Sequence, residues 1–210
     1  MTPIGVLNFP VFFEPKGNKA NPAQATRFSG MLLFDSAGTG SSAYQDLRKA
    51  VGQAIEDKFG AAKAADVAFV KSLRLPFRDA SEKDYTGFDA GEIFISAWKQ
   101  GEQEAPGVVN LNGDDIIVPS DVYSGQLARF TVRAFGYDNN GNKGVALGLE
   151  HIQIVKADMP RLDNRQTADK AFGSTGDATN DQMAALGIKP GASAPTGTAS
   201  TAPDADDLPF

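Results

Sequence analysis

The chain has 210 residues, enough for one large domain or a domain with a tail, and 41% of them are hydrophobic, slightly below the usual globular share. It contains no cysteine and one histidine, His151. Disulfide frameworks, thiolate nucleophiles and multi-histidine zinc sites are thereby excluded. Twenty basic residues against 26 acidic ones give a net charge of −6, which at face value argues against a nucleic-acid partner. Its distribution alters that reading. Residues 171–210 carry five Asp and one Lys, so they account for four of the six net negative charges and leave residues 1–170 close to neutral.

The N-terminal residues have no basic leader, and the first apolar stretch is interrupted by Asn8 and Pro10, so no secretory signal is expected there. No run of 18 apolar residues occurs, so no membrane span is expected and an intracellular address is the default. Residues 4–13 and 27–34 read as strands rich in Phe, Val, Leu and Ile. A helix follows, capped by Ser41 or Ser42, with Tyr44, Leu47, Val51, Ile55 and Phe59 on one face and Gly60 as its stop. A shorter helical piece is expected over residues 61–72. Strands resume at 92–99, at 107–118 with a turn at Asn112-Gly113, at 127–137 and at 144–155. The last two are joined by Asp-Asn-Asn-Gly-Asn, a hairpin signal because Asn and Gly tolerate positive φ. The fold class is therefore mainly β: an OB-type barrel of five to six strands with one inserted α-helix. Residues 158–203, rich in Gly, Ala, Ser, Thr, Pro and Asp, are expected to form a disordered linker after a body at 1–157, and 204–210 an acidic tip.

Chemistry is sought where strand alternation leaves unusual side chains outside. In residues 127–137, Ala128, Phe130, Val132, Ala134 and Gly136 form a core face, and Arg129, Thr131, Arg133, Phe135 and Tyr137 form the other. Bases alternating with rings suit a nucleic-acid platform, since guanidinium groups neutralise phosphates while rings stack on bases. In residues 92–99 the same split turns Ile93, Ile95 and Ala97 inward and Glu92, Phe94, Ser96 and Trp98 outward, with Lys99 adjoining. Alternatively, Phe94 and Trp98 pack beneath the long segment 73–91. That segment interleaves Arg74, Phe77, Arg78, Lys83, Tyr85 and Phe88, although Asp79, Glu82, Asp84 and Asp89 also fit a salt-bridged surface loop. Lys16, Lys19 and Arg27 add positive charge near the first hairpin, and Lys143 follows the last turn.

Enzyme readings are poorly supported. His151 lies in a strand pattern, Asp114-Asp115 follows a turn signal, and residues 38–42 lack the lysine and spacing of a phosphate-binding loop. At the chain end, Asp-Ala-Asp-Asp-Leu-Pro-Phe suits a partner offering an apolar pocket beside a basic patch, which would also take the terminal carboxylate. Incidental residues on a ragged end are the alternative.

These pieces resemble the single-stranded-DNA-binding proteins of tailed bacteriophages. The resemblance rests on GVLNFPVFFEP, LPFRDASEKDYTGFDAGEIFISAW, PGVVNLNG and VYSGQLARFTVRAFGYDNNGNKGVALGLEHIQIV across residues 4–156. The tip is similar to the acidic Ile-Pro-Phe end of bacterial single-stranded-DNA-binding proteins, with Leu208 where Ile is usual and Ala205 interrupting the acidic run. The resemblance implies sequence-independent single-strand binding in replication, recombination and repair, in the cytoplasm of an infected bacterium, without cofactor, metal or catalysis. It also implies that Asp204, Asp206, Asp207, Leu208, Pro209 and Phe210 engage replication proteins such as a polymerase, helicase-primase or exonuclease. A protein-interaction or virion-associated β-domain is the rival reading.

Overall fold

A computed structural model describes residues 1–17, 25–85 and 87–162. Met1–Arg165 forms one compact unit. Its elements run β1 (Gly5–Lys16), β2 (Arg27–Phe34), α1 (Ser36–Gly40), α2 (Ser42–Phe59), α3 (Ala61–Ala64), α4 (Val67–Ser72), β3 (Arg78–Asp79), β4 (Ile93–Gln100), β5 (Gly107–Val109), β6 (Leu127–Asn139) and β7 (Asn142–Lys156).

The strand order β3-β4-β2-β1-β6-β7-β5 would be an open sheet if β4 did not also pair with β7. That parallel pairing, Ala97 opposite Leu147 and Trp98 opposite Gly148, joins β4, β2, β1, β6 and β7 into a closed five-stranded barrel. This is the expected OB-type architecture, and the two short strands β3 and β5 sit on its margins. Alternation along the strands fills the interior with Leu7, Phe12, Leu32, Ile95, Ala97, Ala128, Phe130, Leu147, Leu149 and Ile152. Gly30 is buried among them for want of space. A β-carbon there would lie 2.7 Å from the Phe12 ring and 3.0 Å from the Phe130 ring, which meet edge to face.

Helix α2 closes one end of the barrel with Tyr44, Leu47, Val51, Ala54 and Ile55. Ser41 is the cap: its side-chain oxygen accepts the Tyr44 N–H at 3.2 Å. Gly60 ends the helix at φ 86°, a left-handed value that costs glycine least. The expected second helix is split, because Asp66 starts a new helix by accepting the Ala68 and Phe69 N–H groups.

The β6–β7 hairpin turns at Asn140 and Gly141, both at positive φ, between the paired Asn139 and Asn142. A register shift between Thr131 and Val132 passes over Glu150 on β7, so the bulge bends β7 and leaves the alternation of β6 unchanged. The expected strand at 107–118 is largely absent. After Val109 the Asn110 side chain accepts the Asn112 and Asp114 N–H groups, and Gly113 has φ 91°, so local turn bonds replace the ladder. The chain also stays against the barrel beyond residue 157. The Tyr123 hydroxyl donates to the Met159 carbonyl at 2.9 Å, and the Leu162 N–H donates to the Ser124 carbonyl at 2.9 Å.

Overpacking a filled interior costs typically about 1–3 kcal/mol. Gly30→Ala should therefore lower stability by roughly that amount. Urea denaturation followed by circular dichroism measures this, and an unchanged midpoint would show that the Phe12 and Phe130 rings have room to move.

Candidate nucleic-acid interface

The outer surface of the barrel divides into a covered half and an open half. Over the covered half runs the chain from residue 77 to 92, held by β3 against β4 and by the Ala80 N–H donating to the Glu92 carbonyl at 2.9 Å. Beneath it Leu33, Ala80 and Phe94 form a second apolar cluster, flanked by Val6, Met31 and Phe88. Phe94 is 1% exposed, so the expectation that it offers an open ring is corrected. Its side chain is on the outer face, as alternation predicts, but the segment above it shields that face, as the alternative expectation of packing beneath residues 73–91 has it. Arg78 lies over its ring, 5.3 Å from the centroid.

Four residues further along β4, Trp98 lies where that cover ends. Ser29 on β2 and Gly148 on β7 are its ladder neighbours. The Phe135 ring lies over Gly148 and meets Trp98 edge to face, with centroids 6.0 Å apart. On the β2 side Arg27 covers the indole, its guanidinium carbon 4.1 Å from the ring centroid.

The segment from Leu73 to Arg78 forms a wall beside this floor. Its anchor is a backbone bridge: the Arg74 N–H donates to the Lys143 carbonyl at 3.0 Å, and the Val145 N–H donates to the Arg74 carbonyl at 2.9 Å. Gly144 permits the approach, since a β-carbon there would lie 2.3 Å from the Arg74 carbonyl oxygen and 2.8 Å from the Tyr137 hydroxyl. Phe77 ties the wall to the core through Tyr44, with ring centroids 5.3 Å apart. It is therefore half-buried wall structure, whereas the sequence suggested a ring outside the core. Burial raises the pKa of the Tyr44 phenol against the opposing charge of Arg48, so this hydroxyl is neutral near pH 7.

Between wall and floor runs a groove of about 950 Å³, lined among others by Arg27, Lys71, Arg74 and Arg78 and by Trp98 and Tyr137. Glu82 is the single acidic residue among its lining residues. It accepts from the Arg78 Nε–H at 3.0 Å, an exposed pair of modest strength. Hydrogen bonds from the Ser81 hydroxyl and N–H hold the Asp79 carboxyl below its usual pKa, so it is ionised near the rim.

The structure thus gathers Arg27, Arg74, Phe77, Arg78, Trp98 and Tyr137 around one groove. Phe135 touches Trp98, and Arg133 pairs with Gly148 in the ladder next to Trp98 and is exposed. Other expected residues lie apart. Arg129 donates from Nε to the Gln153 side chain at 2.7 Å, near the Asn110 turn. Lys143 pairs with Asp138 at 3.4 Å on the hairpin. Lys16 stands opposite Arg27 in the β1–β2 ladder yet borders a separate hollow of about 480 Å³ beside Tyr123. Tyr85 packs on Phe9 and Phe88, over the covered half. Lys99 follows Trp98 by one residue and so points to the barrel side of β4, opposite the buried Phe28. Lys19 and residues 204–210 lie outside the described residues.

Lys71 was missed. Its signal was present, three residues before Arg74 at the end of a short helix, but no strand alternation pointed to it.

Gly144→Ala should displace the Arg74 bridge and splay the wall from the sheet. Hydrogen exchange at the Val145 amide reports this directly, and protection equal to the parent would show that the wall has another anchor.

Among known proteins, the family model described as "Enterobacter phage Enc34, ssDNA-binding protein" matches residues 5–183. A "Putative protein p50" from Acyrthosiphon pisum secondary endosymbiont phage 1 is 27% identical over 154 residues, covering 71% of this chain and 79% of that protein. The structure of the single-stranded DNA-binding protein from bacteriophage Enc34 in complex with ssDNA superposes with a TM-score of 0.59 at 19% identity, over 75% of this chain and 86% of that one. A second structure of the single-stranded DNA-binding protein from bacteriophage Enc34 gives 0.58 at 18% identity, over 81% of this chain and 87% of that one. At these identities the superpositions establish a common fold.

Proposed function

The chain belongs to the family of the Enterobacter phage Enc34 single-stranded-DNA-binding protein, and on that footing we propose that it binds single-stranded DNA without regard to sequence, in the groove beside Trp98. The observation that carries this reading is the convergence of Arg27, Lys71, Arg74 and Arg78 with Trp98 and Tyr137 on one open groove. A strand needs both kinds of group at once. Its phosphates are neutralised by fixed cations with release of counterions, and its unpaired bases find rings to stack on. Neither requirement depends on base identity, because every base has a π-face and every nucleotide a phosphate.

The net charge of −6 is compatible with this. Binding responds to the local field, and within a Debye length of about 8 Å at physiological salt the groove cations outweigh more distant carboxylates. In this proposal the protein coats single strands during phage DNA replication, recombination and repair in the cytoplasm of the infected host.

Beyond Leu162, which is still bonded to the barrel, the chain up to residue 203 acts here as the linker between the body and the tip at 204–210. Asp204, Asp206 and Asp207 compete with DNA for the basic groove, and Leu208, Pro209 and Phe210 recruit replication proteins such as a polymerase, helicase-primase or exonuclease.

Titration with oligo-dT tests the main reading. Emission from Trp98, the one tryptophan, should change on binding. The logarithm of affinity should fall with the logarithm of salt at a slope of about −2, corresponding to some three phosphates at ~0.7 each, met by Lys71, Arg74 and Arg78. Binding without a salt slope would exclude the groove, and absence of binding would favour a protein-docking β-domain. Deletion of residues 204–210 should tighten DNA binding several-fold at low salt, the gain fading as salt screens the charges. Equal affinity of the truncated and full chains would remove the competition.

A further inference from the structure

Trp98 offers the obvious stacking surface of the groove, yet one side of its ring is already covered. The Arg27 guanidinium carbon lies over the indole at 4.1 Å. The ladder builds this contact in. Ser29 stands opposite Trp98, and Arg27 is two residues along on the same face of β2, diagonal to the indole and within reach of a long side chain.

The way Arg27 is held differs from that of an arginine kept in place by a carboxylate. Its Nε is buried and has no hydrogen-bond partner among the described residues. None of the ion pairs among the described residues involves it. What holds the guanidinium is the ring beneath it. With Nε turned into the protein, the side-on fork that pairs Nε and one Nη with two phosphate oxygens is closed. Arg27 lines the groove, and with its Nε buried what it can offer there is its flat cationic surface and its Nη groups.

We infer that Arg27 is a stacking plate: a nucleobase of the bound strand lies on its guanidinium, which is thereby held between the base and Trp98. This inference rests on the groove being the single-strand site. A guanidinium is planar, weakly hydrated and stacks on π-faces, whereas an ammonium is a compact, strongly hydrated charge that offers no plane. Unstacked bases of single strands do settle on arginine planes as well as on rings. Trp98 then acts through Arg27 by keeping the plate level. The Phe135 edge against the indole fixes the indole in turn.

The plate and a simple phosphate clamp predict opposite orders for two substitutions. Arg27→Gln keeps a flat group and loses the charge, while Arg27→Lys keeps the charge and loses the plane. In the full chain, with labelled oligo-dT followed by anisotropy at two salt concentrations, Arg27→Lys should bind about tenfold more weakly than the parent, in line with the loss of one stacked base. Arg27→Gln should bind more tightly than Arg27→Lys. The reverse order would overturn the plate in favour of a phosphate contact. Tighter binding by both variants would overturn it in favour of a shield that must leave Trp98 before a base arrives.

A second comparison is independent of how well the Lys variant folds. If Trp98 acts through Arg27, Trp98→Ala with Arg27→Gln should bind no more weakly than Trp98→Ala alone, and additive losses would refute the coupling. Failure of the parent chain to bind oligo-dT at any salt would instead remove the groove reading itself, and the plate with it.

Discussion

The parallel pairing of β4 with β7, at Ala97–Leu147 and Trp98–Gly148, is the contact on which the rest of the molecule depends. Without it the strands form an open sheet with two exposed edges; with it they close, and each residue faces either a filled interior or the outside. The same few residues also assemble the outer site. Trp98 arrives beside Gly148 of β7, the Phe135 ring of β6 lies over that glycine and against the indole, and Arg27 reaches across from β2. Core formation and site formation are thus one event on opposite faces of the same backbone. Most substitutions that open the barrel would also disperse the groove.

The outer face shows how neighbouring positions of equal parity acquire different work. Phe94 and Trp98 project from the same side of β4, four residues apart. Over Phe94 the chain from 77 to 92 supplies Ala80 and Phe88, and the ring becomes part of a small second core. Over Trp98 there is instead a groove, bounded by a wall whose place is set by one backbone bridge at Arg74 and by Phe77 seated on Tyr44. The cover and the wall are one continuous segment. Its apolar residues are used for anchoring, and its Arg74 and Arg78 line the groove, Arg78 paired with Glu82.

Charge is arranged by the same geometry. An acidic chain can present a basic groove when its carboxylates are placed elsewhere. Asp138 is tied to Lys143 on the hairpin, and Glu82, the one carboxylate among the groove's lining residues, is tied to Arg78. Among the groove cations Arg78 is paired with the Glu82 carboxylate, whereas Arg27 rests on an indole.

Much of this was legible before any coordinates. Period-two alternation identified the core face of β6, and the three- and four-residue spacing of Tyr44, Leu47, Val51 and Ile55 gave α2 and its buried face. Asn140 and Gly141 marked the hairpin, because the φ values needed there suit few other residues. These are local properties, fixed by side-chain direction and backbone sterics within a few residues. The sequence by itself therefore determined the barrel strands, the main helix and the candidate rings and cations. Only the tertiary structure decided which of them meet. That Phe94 is roofed and Trp98 is not, that Lys99 belongs to the other face, and that Lys71 joins the groove all depend on where a distant segment crosses the sheet. That crossing is set by contacts between residues far apart in sequence, such as Arg74 with Gly144 and Tyr44 with Phe77. Alternation along a strand says which way a side chain points, and it carries no information about what the rest of the chain lays over it.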